Sequence, residues 1–364
     1  MTRSEKKKRY DGMLIFVVLL LVAAGLVILY STSAYNGQVK FHDPFHYLKK
    51  QGFATLLGLF GMALIARVDY HKWVPLAIPA YVTSIILSVA VIFFGDEYNG
   101  SKRWLSLGPI SFQPSEFAKV AVIFFLACLV SRNVQRMKRF RTMILMMIPV
   151  LPIVGLVGAS NLSTAIIILG IAVVLIFVAD PKYVRFILMG SIGVGFMTVF
   201  LAMESYRLER LAIWRHPEQY EKGYQTLQGL YAIGSGGLFG RGLGNSVQKL
   251  GFLPEAQNDM IFSIICEELG LFGAVLIIFL FLLLLWRMME IAQNAPDDEG
   301  MFLVSGIMGH IGIQVLLNIA VVTNTIPNTG ISLPFISYGG SSILFLLTEM
   351  GIVFRVSSES KEAQ

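Results

Sequence analysis

Asp259 stands in Leu253-Pro-Glu-Ala-Gln-Asn-Asp259-Met-Ile-Phe262, between a proline that breaks any preceding helix and an apolar run that starts a membrane helix. A carboxylate at such a boundary faces water on one side and lipid headgroups on the other. It can take the proton from an acceptor hydroxyl, which is what glycosyl transfer requires of a base. An acid that only caps the helix and complements its dipole would occupy the same place, and position alone favours that assignment. Glu116 and Lys119 lie i, i+3 in Gln113-Pro-Ser-Glu116-Phe-Ala-Lys119. A lone ammonium a turn inside a membrane is costly, so pairing of the two is expected before direct chemistry. Just upstream, Ser101-Lys102-Arg103-Trp104 offers two cations and an interfacial aromatic, a patch that can hold a phosphate or anchor a loop.

Further polar groups fall inside apolar runs. Glu267 and Glu268 are more than two turns into one such run, where an acid is by default functional or paired. His310, Gln314 and Asn318 recur at i, i+4, i+8 and form one polar stripe that must face the bundle interior or a wet cavity; interhelical hydrogen bonding is the expected use. The glycine-rich stretch 234–244 lacks the Gly-Lys-Ser/Thr ending of a nucleotide loop. The stretch from Asn328 to Ser342, with Pro334 and Gly339-Gly340, is irregular backbone at membrane depth, tolerated only where it lines protein or a cavity. Ser337 and Ser341 in it are candidate substrate contacts.

The elements that must position these groups are membrane helices. Of 364 residues, 55% are hydrophobic and 14% charged, against roughly 25% charged in a soluble domain. The pattern predicts an all-α integral membrane protein, a single polytopic domain over 1–364. About ten helices are expected, at 12–31, 49–66, 73–95, 115–131, 143–158, 163–179, 183–203, 259–286, 302–323 and 341–356. The basic N-terminus, too long in its apolar run for a signal peptide, the loop from Arg132 to Arg141 and the stretch Lys182 to Arg185 share one side. That side is the cytoplasm of a bacterial inner membrane, and both termini fall there. The net charge of +6 follows this pattern, so nucleic acid is not an expected partner. Cys128 and Cys266 lie in apolar helices, which leaves no disulfide framework or zinc site.

Two external loops, 96–114 and a large one at 204–258, run against the charge rule. They carry Lys102, Arg103, Arg207, Arg210, Arg215, Lys222, Arg241 and Lys249. Such a surface suits an anionic lipid-linked substrate, or equally anionic headgroups. Within the larger loop, Arg207-Leu-Glu-Arg-Leu-Ala-Ile-Trp-Arg215 has an interfacial amphipathic pattern.

Taken together, Lys102-Arg-Trp104, Gln113-Pro-Ser-Glu116-Phe-Ala-Lys119, Gly242-Leu-Gly-Asn-Ser246, Leu253 to Asp259 with Glu267-Glu-Leu-Gly270, and Leu333-Pro-Phe-Ile-Ser-Tyr-Gly-Gly-Ser-Ser342 resemble the SEDS family, which includes RodA, FtsW and SpoVE. The segment from Arg241 to Lys249 and Pro254-Glu-Ala look closer to FtsW and SpoVE. The resemblance spans nearly the whole chain and implies a ten-helix fold. It also implies a peptidoglycan glycosyltransferase that polymerises lipid II beside a class B penicillin-binding protein. The family's essential external aspartate maps onto Asp259, which reverses the capping assignment above. Its acid–lysine pair maps onto Glu116 and Lys119, and its second external loop onto Lys102, Arg103 and Trp104. One departure stands out: Ala159-Ser-Asn161-Leu-Ser-Thr164 has asparagine where the family commonly has an acid, which puts that acid's salt-bridge or cation-binding role in doubt here.

On this reading Asp259 is the general base. The leaving undecaprenyl pyrophosphate is met by Lys102, Arg103, Arg207 or Arg210, with a divalent cation, Mg or Mn, and no organic cofactor. A lipid II transporter and a noncatalytic scaffold for the penicillin-binding protein share the same bundle and remain alternatives at this stage.

Overall fold

The structure is a computed structural model and describes residues 10–98, 101–107, 110–180, 182–187, 190 and 212–360. The described helices are α1 (Gly12–Phe41), α2 (His46–Ile65), α3 (Ala77–Phe94), α4 (Pro114–Ser131), α5 (Phe140–Met147), α6 (Val150–Ser160), α7 (Leu162–Ala179), α8 (Tyr224–Gly236), α9 (Ile261–Gln293), α10 (Asp298–Val322) and α11 (Gly340–Ser357). By length and composition α1, α3, α4, α7, α9, α10 and α11 can each cross a bilayer. The expected single span at 143–158 is instead the pair α5 and α6, bent by 44° where Pro149 interrupts the helix. The 20-residue α2 matches the expected span at 49–66 and carries Lys49 and Lys50 in its first turn. The expected span 183–203 falls largely outside the described residues, of which 183–187 are helical.

Two helices outrun the lipid. The apolar run of α1 ends near Tyr30, yet the helix continues to Phe41; α9 has 33 residues where a span needs about 20. Arg287 of α9 pairs with Asp11, which caps α1, and Glu268 of α9 accepts from Ser31 of α1 at 2.7 and 2.8 Å. Asp11 and Ser31 are 20 residues apart, about 30 Å of helix, one hydrocarbon thickness. Glu267 and Glu268 therefore lie about one hydrocarbon thickness along α1 from the Asp11–Arg287 pair. Beyond them α1 and α9 keep packing, and Asn36 Nδ2 donates to Gln257 Oε1 at 3.1 Å. Hydropathy marks where lipid ends, not where a helix ends.

A small sheet, β1 (Asp96–Tyr98), β2 (Ser101–Leu107) and β3 (Ile110–Phe112), occupies the loop between α3 and α4 and adds β structure to the expected all-α architecture. Both pairings are antiparallel, with Glu97 opposite Lys102 and Ser106 opposite Ser111. Strands of three and seven residues leave too short a period-2 pattern to register against the apolar helices on either side. The pleat sends Lys102 and Trp104 to one face and Arg103 to the other.

At the centre, α10 packs against α9, α7, α4 and α11, while α11 lies along α2. The glycine-rich stretch after α8 wraps the break in α9. Gly270, at φ 66° and ψ −166°, interrupts that helix, and Leu271 and Phe272 donate to the carbonyls of Gly237 and Leu238. A Cβ on Gly240 would lie 2.2 Å from the Glu268 carbonyl oxygen, and one on Gly270 would lie 2.3 Å from the Gly240 nitrogen. Two backbones cross here at a separation that only glycine permits. Gly270→Ala is accordingly expected to destabilise by more than about 2 kcal/mol, from the left-handed φ and the clash together. A thermal melt in detergent should fall, and an unchanged melting temperature would refute the crossing.

Candidate functional site

The polar stripe of α10 is the frame on which the site hangs. All three of its side chains are almost fully buried. Gln314 Oε1 accepts from Lys119 Nζ of α4 at 3.1 Å and faces His310 Nε2 at 2.9 Å, while its Nε2 donates to the Ser332 carbonyl at 3.0 Å. The Ser332 carbonyl fixes which end of the amide is which, so His310 Nε2 must carry a hydrogen. Its Nδ1 lies 2.9 and 3.1 Å from the two carboxylate oxygens of Glu349 on α11, so one proton is shared across that contact. Lys119 closes the chain on Glu116 at 2.9 Å, the pairing expected from the sequence. Glu349, His310, Gln314, Lys119 and Glu116 thus tie α11, α10 and α4 into one charge-balanced network.

Above it lies Asp259, two residues before α9. Its segment runs through a turn at Glu255, φ 54°, and is held by the stretch before α11. Ser337 Oγ donates to the Asn258 carbonyl at 2.7 Å and accepts from the Leu333 amide at 2.8 Å, and the Tyr338 amide donates to the Gln257 carbonyl at 2.9 Å. Gln51, buried in α2, brackets the same turn by accepting from the Gly339 amide at 3.1 Å and donating to the Ser337 carbonyl at 3.4 Å. Asn318 Nδ2 donates to the carbonyl of Asp259 itself at 2.8 Å and to that of Ile331 at 2.6 Å. Asp259 keeps part of its surface open, yet its Oδ1 is enclosed and makes no hydrogen bond. Burial, reinforced by the charge of Glu255, pushes its pKa up to about 7; the nearby amides of residues 259 and 260 and the charge of Arg103 oppose this without cancelling it.

The expected substrate residues divide. Arg103 points inward, its Nε donating to the Ser160 carbonyl at 3.1 Å, and it lines a cleft with Ser88, Ser115, Ser160 and Asn161, its charge reaching Asp259. Lys102 is exposed on the other face of the strand and Trp104 is half-buried. Arg207 and Arg210 lie outside the described residues. Ser337, expected as a substrate contact, spends its hydroxyl internally because the irregular backbone around it must be satisfied at depth. Ser341 donates to the Ser111 carbonyl at 3.2 Å, joining α11 to β3. Of the cations expected in the two external loops, Lys249 is taken by Glu268 at 2.6 Å and Arg241 faces Glu267 at 3.6 Å, so these two fasten the segment after α8 to α9.

Asn161 resolves the departure noted in the sequence. Its Oδ1 accepts from the Thr164 amide at 3.2 Å and caps α7, so the side chain keeps the helix start that an acid would serve, without the charge. Gln51, Gln257 and Ser163, whose Oγ donates to the Thr329 carbonyl at 2.5 Å, escaped the sequence reading. The only signal for Gln51 was a glutamine at the foot of an otherwise apolar helix. Among the described residues no three His, Cys, Asp or Glu side chains gather into a group that could hold a metal.

A family profile described as cell cycle protein, covering FtsW, RodA and SpoVE, matches residues 11–362. Stage V sporulation protein E of Bacillus subtilis is 40% identical over 98% of this chain and 99% of its own. A probable peptidoglycan glycosyltransferase FtsW of a Geobacter species is 36% identical over 97% and 98%. Among solved structures, a peptidoglycan synthase complex that coordinates polymerization and crosslinking matches with a TM-score of 0.79 at 30% identity, over 96% of this chain and 97% of that one. The rod shape determining protein RodA of Thermus thermophilus matches with a TM-score of 0.71 at 30% identity, over 97% and 98%.

Removing one member of the buried pair leaves an uncompensated charge. Lys119→Met alone is expected to cost about 3–5 kcal/mol, and Lys119→Met with Glu116→Gln less than Lys119→Met alone. Equilibrium unfolding of the three proteins in detergent checks this; additive losses would show that the pair is not coupled.

Proposed function

Since the chain belongs to the FtsW, RodA and SpoVE family, we propose that it is a peptidoglycan glycosyltransferase that polymerises lipid II into glycan strands on the outer face of a bacterial inner membrane. The observation that carries the mechanism is the state of Asp259: a carboxylate at the outer boundary, with one oxygen enclosed and lacking a donor, and a pKa near 7. The part of the carboxylate that stays open is where a substrate hydroxyl can donate, and a base with a pKa close to the working pH accepts that proton efficiently. The acceptor sugar oxygen, deprotonated at Asp259 as it attacks, forms the new bond to the anomeric carbon of the growing chain. The bond to undecaprenyl pyrophosphate breaks, and the electron pair leaves on the phosphate oxygen.

Arg103 and Lys102 supply positive charge toward the leaving group, and Arg207 and Arg210 complete that set in the proposal. A divalent cation, Mg or Mn, would supply further positive charge for the leaving pyrophosphate. The partner is a class B penicillin-binding protein that crosslinks the strands, and both termini are cytoplasmic, placing Asp259 on the side where strands are used. A transport path along α10 has less support, because the stripe's side chains are engaged with one another and with neighbouring helices.

Purified protein given lipid II, Mg or Mn and its partner should yield glycan ladders. Asp259→Asn should lower the rate by at least about 10²-fold, the usual contribution of a general base. Wild-type rate should rise with pH through a midpoint near 7 as Asp259 loses its proton, then level off. Full activity in Asp259→Asn, or a flat profile between pH 5 and 8, would reject the assignment.

A further inference from the structure

Asn318 connects the candidate base to the regular part of the bundle. Its residue is completely buried, and its Nδ2 is forked between the carbonyls of Asp259, at 2.8 Å, and Ile331, at 2.6 Å. Both carbonyls belong to irregular segments with no helix or ladder of their own at that point. The amide cannot be turned over, since Oδ1 would then face two carbonyl oxygens. That orientation has a cost: Oδ1 is buried and has no donor. A side chain kept only as filling would not need an unmet acceptor at this depth. The consequence of the fork lies one residue before Ile331. Gly330 holds φ +67°, and a Cβ there would stand 3.6 Å from Asp259 Oδ2, so the fork draws the backbone of the 328–332 stretch against the carboxylate.

We propose that Asn318 is a positioning residue for glycosyl transfer: by holding the Asp259 and Ile331 carbonyls on one nitrogen, it fixes the Asp259 carboxylate at the lip between two external segments, where the acceptor hydroxyl meets it. The inference rests on Asp259 as the base. Positioning is where such a residue acts, because a shift of about 1 Å at the reacting groups costs about 10²-fold in rate.

The test is steady-state polymerisation by the full chain with its partner, from pH 5 to 9, for wild type, Asn318→Ala, Asn318→Asp and Asp259→Asn, with a thermal melt of each. Both Asn318 variants should lose about 10- to 100-fold in kcat with KM within about threefold, as expected when ground-state binding is untouched. The pH midpoint should move in opposite directions. Asn318→Ala opens the site to water and lowers the midpoint toward the ordinary carboxylate range, whereas Asn318→Asp adds an acid beside Asp259 and raises it. Glu255 and Arg103, the charged groups that face Asp259, are the same in all Asn318 variants. General loosening of the fold would not split the midpoints this way. Overturning results are kcat within twofold of wild type, midpoints that stay put or move together, or failure of both Asn318 variants to fold, which would make the residue structural. If Asp259→Asn is fully active, the base assignment falls first; if it is inactive while Asn318→Ala matches wild type, only the positioning role falls.

Discussion

A polar side chain enclosed by apolar helices must find its partners inside the protein, and the stripe on α10 is where this chain meets that constraint. Gln314 reaches Lys119, His310 and Ser332 from a single amide. Lys119 lies on α4 and Ser332 in the irregular stretch before α11, and His310 of α10 itself passes the link to Glu349 of α11, so these parts are located relative to α10 by hydrogen-bond geometry rather than by packing alone. Apolar contacts in lipid discriminate weakly between registers, because lipid tails are as apolar as leucine. Directional bonds supply the specificity, and Asn318, one turn further out, extends the same device to the two segments that flank Asp259.

The outer layer follows a different logic. There α1 pairs with α9 through Ser31 and Glu268, and with the turn before α9 through Asn36 and Gln257. Glu267 and Glu268 then gather the glycine-rich stretch through Ser246, the Val247 amide, Lys249 and Arg241. Acids that read as buried membrane groups are thereby anchors for an external platform, and the crossing of Gly240 with Gly270 lets that platform sit directly on the helix. The stretch holding Asp259 is suspended between this platform and α10, which explains how a chain without regular structure there can present a carboxylate in a fixed place.

The environment of Asp259 balances opposing needs. A carboxylate at a helix start in water would be too acidic to act as a base near neutrality. Enclosure and the neighbouring Glu255 raise its pKa, while the charge of Arg103 keeps the charged form accessible. Asn161 lines the same cleft as Arg103 without adding a second negative charge. In this chain the guanidinium lowers the pKa of Asp259, and position 161 in the cleft is neutral.

Much of this was written in the linear sequence. Membrane residence, most helix positions and the Glu116–Lys119 pair follow from hydropathy and i, i+3 spacing, which are local quantities. The choice of Asp259 needed resemblance to a family, because a capping acid and a base look alike from position alone. Tertiary structure decided the rest. It turned Glu267, Glu268, Arg241 and Lys249 from candidates for chemistry into fasteners, spent the Ser337 hydroxyl on backbone, and gave Gln51 and Asn318 their tasks. The physical reason is the range of the interactions. Burial in lipid is set by the residues within a single helix, whereas a hydrogen bond's partner, and the pKa that enclosure gives a carboxylate, depend on segments tens to hundreds of residues away that only the folded bundle brings together.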